Sequence, residues 1–155
     1  MMDKNDKRFC ILKKGIVLLI LGLLSSFVLV SCGGGKEVKK ASEESKIAKE
    51  AFELAERLRN AYEKKDMKQI EENSTGNGYR ELLAVMKKFD KASLTFTPTW
   101  VEINEAKVFL SVSWKGIWTI NEKESEERGL AVFVFQGKPL KLEQIQRENP
   151  FRQPE

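Results

Sequence analysis

The spacing of apolar residues changes from a helical period to a strand period near residue 91, and that one change bounds what the chain can fold into. Before it, Ile47, Ala51, Phe52, Ala55, Leu58 and Tyr62 recur at helical intervals, opposite Lys49, Glu53, Glu56 and Lys64. This is the stripe of an amphipathic helix. After it, Leu94 and Phe96 alternate with Thr95 and Thr97, and Val108, Leu110, Val112 and Trp114 alternate with Ser111, Ser113 and Lys115. A period of two belongs to a strand with one buried face. Helices first and strands second predict an α+β domain with its helices on one sheet face.

The punctuation divides the two halves further. Ser42 is a plausible N-cap, with Glu43 and Glu44 in the first turn, where the helix dipole favours negative charge. "KKD" interrupts this helix, and Asp66 with Gln69 reads as a capping box for a short second helix to about Asn73. "NSTGNG" reads as a loop. Asn77 is then expected to cap a third helix with Tyr79, Leu82, Leu83, Met86 and Phe89 as its apolar face. Among the strands, the apolar frame moves to Val101 and Ile103 beyond Pro98, which predicts a bulge there. Asn104-Glu105 is expected to turn. Gly116 is expected to break the frame before Trp118 and Ile120, and "NEKESEE" to form a polar loop. Leu130 to Phe135, apolar on both faces, should be central, and "QGKP" should turn into a last strand carrying Leu140 and Leu142. The expected architecture is two to three N-terminal helices packed on a curved four-stranded antiparallel sheet.

The N-terminal segment follows other rules. Residues 1–14 are polar and cationic, and Gly15 to Val30 is a 16-residue run without a charge. A spanning helix needs about 20 apolar residues. A basic head and a shorter apolar run describe an export signal instead. The run ends in Leu29-Val30-Ser31-Cys32, which resembles the lipobox of bacterial lipoproteins. The resemblance implies diacylglyceryl transfer to the Cys32 thiol and cleavage just before it. Two or three acyl chains would hold the protein stably on a membrane, whereas one holds it only marginally. The resulting division is a signal over 1–31, a lipidated tether over 32–44 beginning Gly33-Gly34-Gly35, a domain over 45–148 and an irregular tail over 149–155. Gly33 stands where enteric lipoproteins retained at the inner membrane carry aspartate. The expected location is therefore the outer membrane, facing the periplasm.

Charge and composition narrow the function. The formal net charge of +4 sits mostly in residues 1–31, which carry Lys4, Lys7, Arg8, Lys13 and Lys14 against Asp3 and Asp6. The rest is near neutral, which argues against a nucleic-acid binder. The cysteines are Cys10 and Cys32, and the chain has no histidine. That removes the usual neutral-pH base and the commonest metal ligand. Neither a metal nor a cofactor is expected.

The order of elements, with a long helix ending "NAYEKKDMKQIEE" before further helix and long bent strands, is similar to the nuclear transport factor two-like domains. The resemblance spans about residues 45–148 and implies a cystatin-like cone in which a curved sheet wraps a helix. The short 73–78 loop leaves little room for the strand many members place there, so the cone is expected to be shallow or filled. Enzymes of this superfold, isomerases and dehydratases, are typically built around an Asp or His base in the cone. Here Asp66 and Asp90 fall at a helix cap and a helix end, and Glu102, Glu105, Glu143 and Glu148 do not pair on one strand face.

Tyr62, Tyr79, Trp100, Trp114, Trp118 and Phe133 are the candidate ligand-contacting side chains, and Cys32 is the candidate lipid-attachment site. The aromatic residues read first as an ordinary core and second as the lining of a cavity for an apolar ligand. The expected function is a lipid-anchored, non-enzymatic envelope module that binds a partner protein or an apolar ligand. The alternatives are an isomerase- or dehydratase-type enzyme and a purely structural envelope component.

Overall fold

A computed structural model of the chain describes residues 42–104 and 106–152. The signal, the lipobox with Cys32 and most of the tether lie outside the described residues. Three helices, α1 (Glu43–Glu63), α2 (Met67–Glu72) and α3 (Gly76–Val85), precede four strands: β1 (Lys91–Ile103), β2 (Lys107–Ile120), β3 (Lys123–Gln136) and β4 (Lys141–Arg147). The strands form one antiparallel sheet in the order β1-β2-β3-β4, so the expected meander and α+β class hold. All buried apolar residues described fall between Ala51 and Phe151, and the chain from Lys40 onward forms a compact unit with its own core.

The helix starts follow local chemistry. The Ser42 hydroxyl accepts from the Ser45 N–H, and the Asp66 carboxylate accepts from the Gln69 N–H, as capping requires. Between them α1 ends in a Schellman-type turn. Lys65 adopts φ 58°, and the Asp66 N–H reaches back to the Ala61 carbonyl. The third cap differs from expectation. Thr75, not Asn77, caps α3 by accepting from the Gly78 N–H, so the helix starts earlier and ends at Val85. Met86 and Phe89 therefore belong to the connection into β1, and Leu83 is turned outward.

The sheet departs from the sequence reading at two further places. Gly116 does not break the frame: Trp114, Gly116 and Trp118 all face inward, at consecutive even positions of an uninterrupted strand. The glycine is needed because the Trp118 ring folds back over it and fills the space a Cβ would take. "NEKESEE" is not a loop either. β2 and β3 stay paired up to Ile120 and Lys123, joined by Asn121 and Glu122 with φ 50° and 66°. Two consecutive left-handed residues are the turn that matches strand twist in a tight hairpin. The charges were misread because this end of the ribbon runs beyond the cover of the helices, where both faces of a strand meet water.

Two irregularities curve the sheet, one at Pro98/Trp100 and one at Val134/Phe135. At the first, Thr99 is the extra residue, and its hydroxyl bonds to Ser111. On the far edge, the short strand expected to be missing is reduced to one bridge between Ser74 and Leu142. The described residues of the tail, 149–152, form no helix or strand, yet Phe151 among them is buried in the core. The domain thus extends past 148.

Gly116→Ala should lower stability by roughly 1–3 kcal/mol, the usual cost of overpacking, seen as a lower urea midpoint at unchanged slope. Lys115→Ala, on the opposite face, should leave the midpoint nearly unchanged. Equal midpoints for Gly116→Ala and the parent would contradict the Trp118 placement.

Candidate functional site

The concave side of the sheet is where a cone of this kind would hold a ligand, and aromatic rings occupy it. Tyr62, near the end of α1, and Trp118, near the end of β2, are both fully buried, and the Trp118 indole N–H donates to the Tyr62 hydroxyl over 3.1 Å. Phe89 and Phe151 pack on the Tyr62 ring at 4.8 and 4.9 Å between centroids. Phe133 is also fully buried, between Phe96 at 5.5 Å and Phe151 at 6.1 Å. The void left among Leu58, Tyr62, Ile70, Leu82, Met86 and Phe151 admits no water-sized sphere. Among the described residues, the only buried polar ones are Ser74 and Ser111, so no carboxylate enters this interior. Burial pushes the Tyr62 phenol pKa well above its ordinary value, and the Trp118 N–H only partly offsets that. Its hydroxyl stays neutral.

Trp114 marks the margin of this packed interior. Its ring meets Trp118 edge-on at 6.3 Å, and its indole N–H donates to the Glu148 carbonyl at 2.9 Å. Beyond it lies an open groove of about 700 Å³, walled by Ala84 and Val85 of α3 and Ile145 of β4. Charged side chains rim it: Glu81, Glu127 and Glu148, with Arg128, Arg147 and Arg152.

The convex face of the sheet carries a second feature. The bulge at Thr99 inverts the alternation of β1, so Val101 and Ile103 pair inward opposite Leu110 and Val108, and Trp100 faces out opposite Ser111. Trp100 is 46% exposed and Leu130 44%. The register sets them around Phe109, Val132 and Val134, with only serines 111 and 113 between. The next row down the sheet is charged: Lys115 forms an ion pair with Glu126 at 2.9 Å, and Arg128 with the same carboxylate at 3.2 Å.

The candidates from sequence therefore separate. Tyr62, Trp118 and Phe133 converge in the interior as core, and Trp114 stands at its margin, where it lines the open groove. Tyr79 is half-buried on α3, and Trp100, expected with the cavity, lies on the opposite face. The shift of frame to Val101 and Ile103 already implied this, because Trp100 is their odd neighbour. Sequence reasoning missed Phe151, hidden in a tail with two prolines, and the charged groove rim, whose members come from four separate segments. Asp66 is a cap. Asp90 is structural too: its carboxylate accepts from the Asn121 N–H at 2.7 Å. Glu143 is held by Thr75, Asn77 and Gln136, and Glu148 accepts from the Leu130 N–H. Glu105 and Cys32 lie outside the described residues.

The chain matches no known family profile and no curated protein sequence. Among solved structures it is similar to a nuclear transport factor 2 (NTF2-like) superfamily protein from Salmonella enterica subsp. enterica serovar Typhimurium str. LT2. The TM-score is 0.56 at 13% identity, covering 69% of this chain and 93% of that one. The fold is nuclear transport factor 2-like. Identity this low establishes architecture alone, and the architecture serves enzymes and non-enzymes alike.

Tyr62→Phe should cost about 1–3 kcal/mol in urea unfolding, because the buried Trp118 N–H loses its acceptor. The raised phenol pKa also gives a pH dependence. Its stabilisation is fully present below the ordinary tyrosine value of about 10 and is lost as pH rises above it, where only the unfolded chain ionises. The urea midpoint of the parent should thus fall above pH 10 by an increment that Tyr62→Phe lacks. Parallel pH profiles would contradict this.

Proposed function

We propose that the protein is a lipid-anchored cell-envelope component whose domain is a non-enzymatic interaction module, and that it binds a partner protein through the convex face of its sheet. The exposed side chains of Trp100 and Leu130 carry this reading, with Phe109 half-buried beside them and Val132 and Val134 buried between. A large exposed tryptophan beside an exposed leucine is the kind of anchor on which interface energy concentrates. Small serines beside it leave the ring accessible, and the charged row of Lys115, Glu126 and Arg128 supplies a polar rim.

Two properties of the interior support the non-enzymatic part. The space an isomerase or dehydratase of this fold would use is filled, and the Tyr62 hydroxyl is already engaged by Trp118. The same filling disfavours an apolar ligand inside the cone. Support for the anchor comes from the lipobox-like Leu29-Val30-Ser31-Cys32 and the export-type segment before it. A chain anchored at Cys32 enters the domain at Ser42, about 35 Å away at full extension. The start of α1 lies beside the β1–β2 and β3–β4 connections, at one end of the sheet.

Intact-mass analysis of membrane-extracted protein should give a chain beginning at Cys32 with added acyl mass; an unmodified Cys32 or a retained Met1 would contradict the anchor. A photo-crosslinking residue placed at Leu130 in cells should give a discrete adduct that Trp100→Ser abolishes, while one placed at Lys87 should give none. No adduct at Leu130, or one indifferent to Trp100→Ser, would reject the interface and favour a purely structural role.

A further inference from the structure

We propose that the groove beyond Trp114 is a second, separate binding site, and that its ligand is an amphipathic monocarboxylate: an apolar body ending in one carboxylate. The site opens on the other side of the sheet from the convex face, and Arg128 is the residue it shares with the charged row beside that face.

The groove is built rather than incidental. At about 700 Å³ it falls in the size range of small-ligand sites. Its floor is the Trp114 ring, fixed by the indole hydrogen bond to the Glu148 carbonyl and by the edge contact with Trp118. Gly129 lies opposite Trp114 in the register, and any side chain there would collide with the Trp114 ring and the Glu148 carboxylate. That crowding holds the floor in place. Ala84, Val85 and Ile145 give the walls an apolar surface that an alkyl or aryl body can cover.

The charges select the head group. Arg147 ends β4 with φ 66°, a left-handed conformation that costs a non-glycine residue energy and is found disproportionately at working sites. Its side chain is exposed, and its guanidinium has neither ion pair nor hydrogen bond among the described residues. Arg128, by contrast, is paired with Glu126, and the Glu148 carboxylate is turned to the Leu130 N–H. A planar guanidinium without a partner matches a carboxylate bidentately. Glu81 and Glu127 also line the groove. They would repel a polyanion, so one negative charge fits where a phosphate-rich ligand does not.

The test uses the compact unit from Lys40 onward, which holds every buried apolar residue among those described. Decanoate, decyltrimethylammonium and the neutral decyl maltoside, each kept below micelle formation, are titrated while the Trp114 indole N–H is followed by heteronuclear NMR. Decanoate should shift this resonance saturably. Arg147→Gln should weaken it about tenfold, the loss of one charge-assisted hydrogen bond. Ala84→Glu, an exposed helix position, should weaken it further by like charge, and Trp100→Ser should leave it unchanged. Non-saturable shifts, equal binding of the ammonium probe, full affinity in Arg147→Gln, or loss of binding in Trp100→Ser would each overturn the proposal.

Discussion

The hydrogen bond from the Trp118 indole to the Tyr62 hydroxyl is the contact on which the rest of the interior depends. It joins the end of the long helix to the end of β2 at a point from which water is excluded. There an unsatisfied polar group would cost more than the bond itself contributes. The two largest fully buried side chains are therefore fixed against each other. Gly116 is shaped by it, since the indole lies where a Cβ would be, and Phe89 and Phe151 close over the phenol from the loop before β1 and from the tail. The cone is filled here by side chains from the long helix, the loop before β1 and the tail.

The sheet is defended at its edges by equally specific means. On β1, the Leu94 N–H donates to Glu63 at 2.6 Å, and the Leu94 carbonyl accepts from Arg59 at 3.2 Å, so α1 occupies the edge positions a further strand would use. Arg59 is itself held by Glu56 and Glu63. Pro98 has the same alternation as Leu94 before the bulge, which puts its missing N–H on the outer edge, where no ladder bond is lost. On β4, Leu142 exchanges bonds with Asn73 and Thr75, and Gly78 presses α3 against the Leu142 carbonyl. With the edge at Leu94 and the edge at Leu142 both engaged, strand addition is blocked at those points.

Much of this was legible in the sequence because it is periodic. The helix stripe of Ala51, Ala55, Leu58 and Tyr62, the alternation of Val108 to Trp114, and the frame shift after Pro98 each record which side of an element is dry. What was not legible depends on contacts between distant segments. Gly116 looks like a break until the Trp118 ring is seen above it. Asn77 looks like a better cap than Thr75 until Gly78 is seen packed on β4. The charged stretch from Glu124 to Arg128 looks like a loop because burial, the usual mark of a strand, is absent where the ribbon outruns its helices. The groove was invisible for the same reason: Arg147, Trp114 and Val85 share no local pattern.

The bulge at Thr99 ties the shape of the domain to its surface. One extra residue in β1 lets the strand bend round the core, and the same residue reverses every later side chain of that strand. Without it, Trp100 would point into a cone already filled by Trp118 and Phe133, while Val101 and Ile103 would face water. The curvature that allows the interior to close thus moves a tryptophan outside. A closed interior and an aromatic anchor on the convex face are two results of a single insertion. That coupling is why the interior of this cone is closed while a large aromatic side chain stands exposed on its convex face.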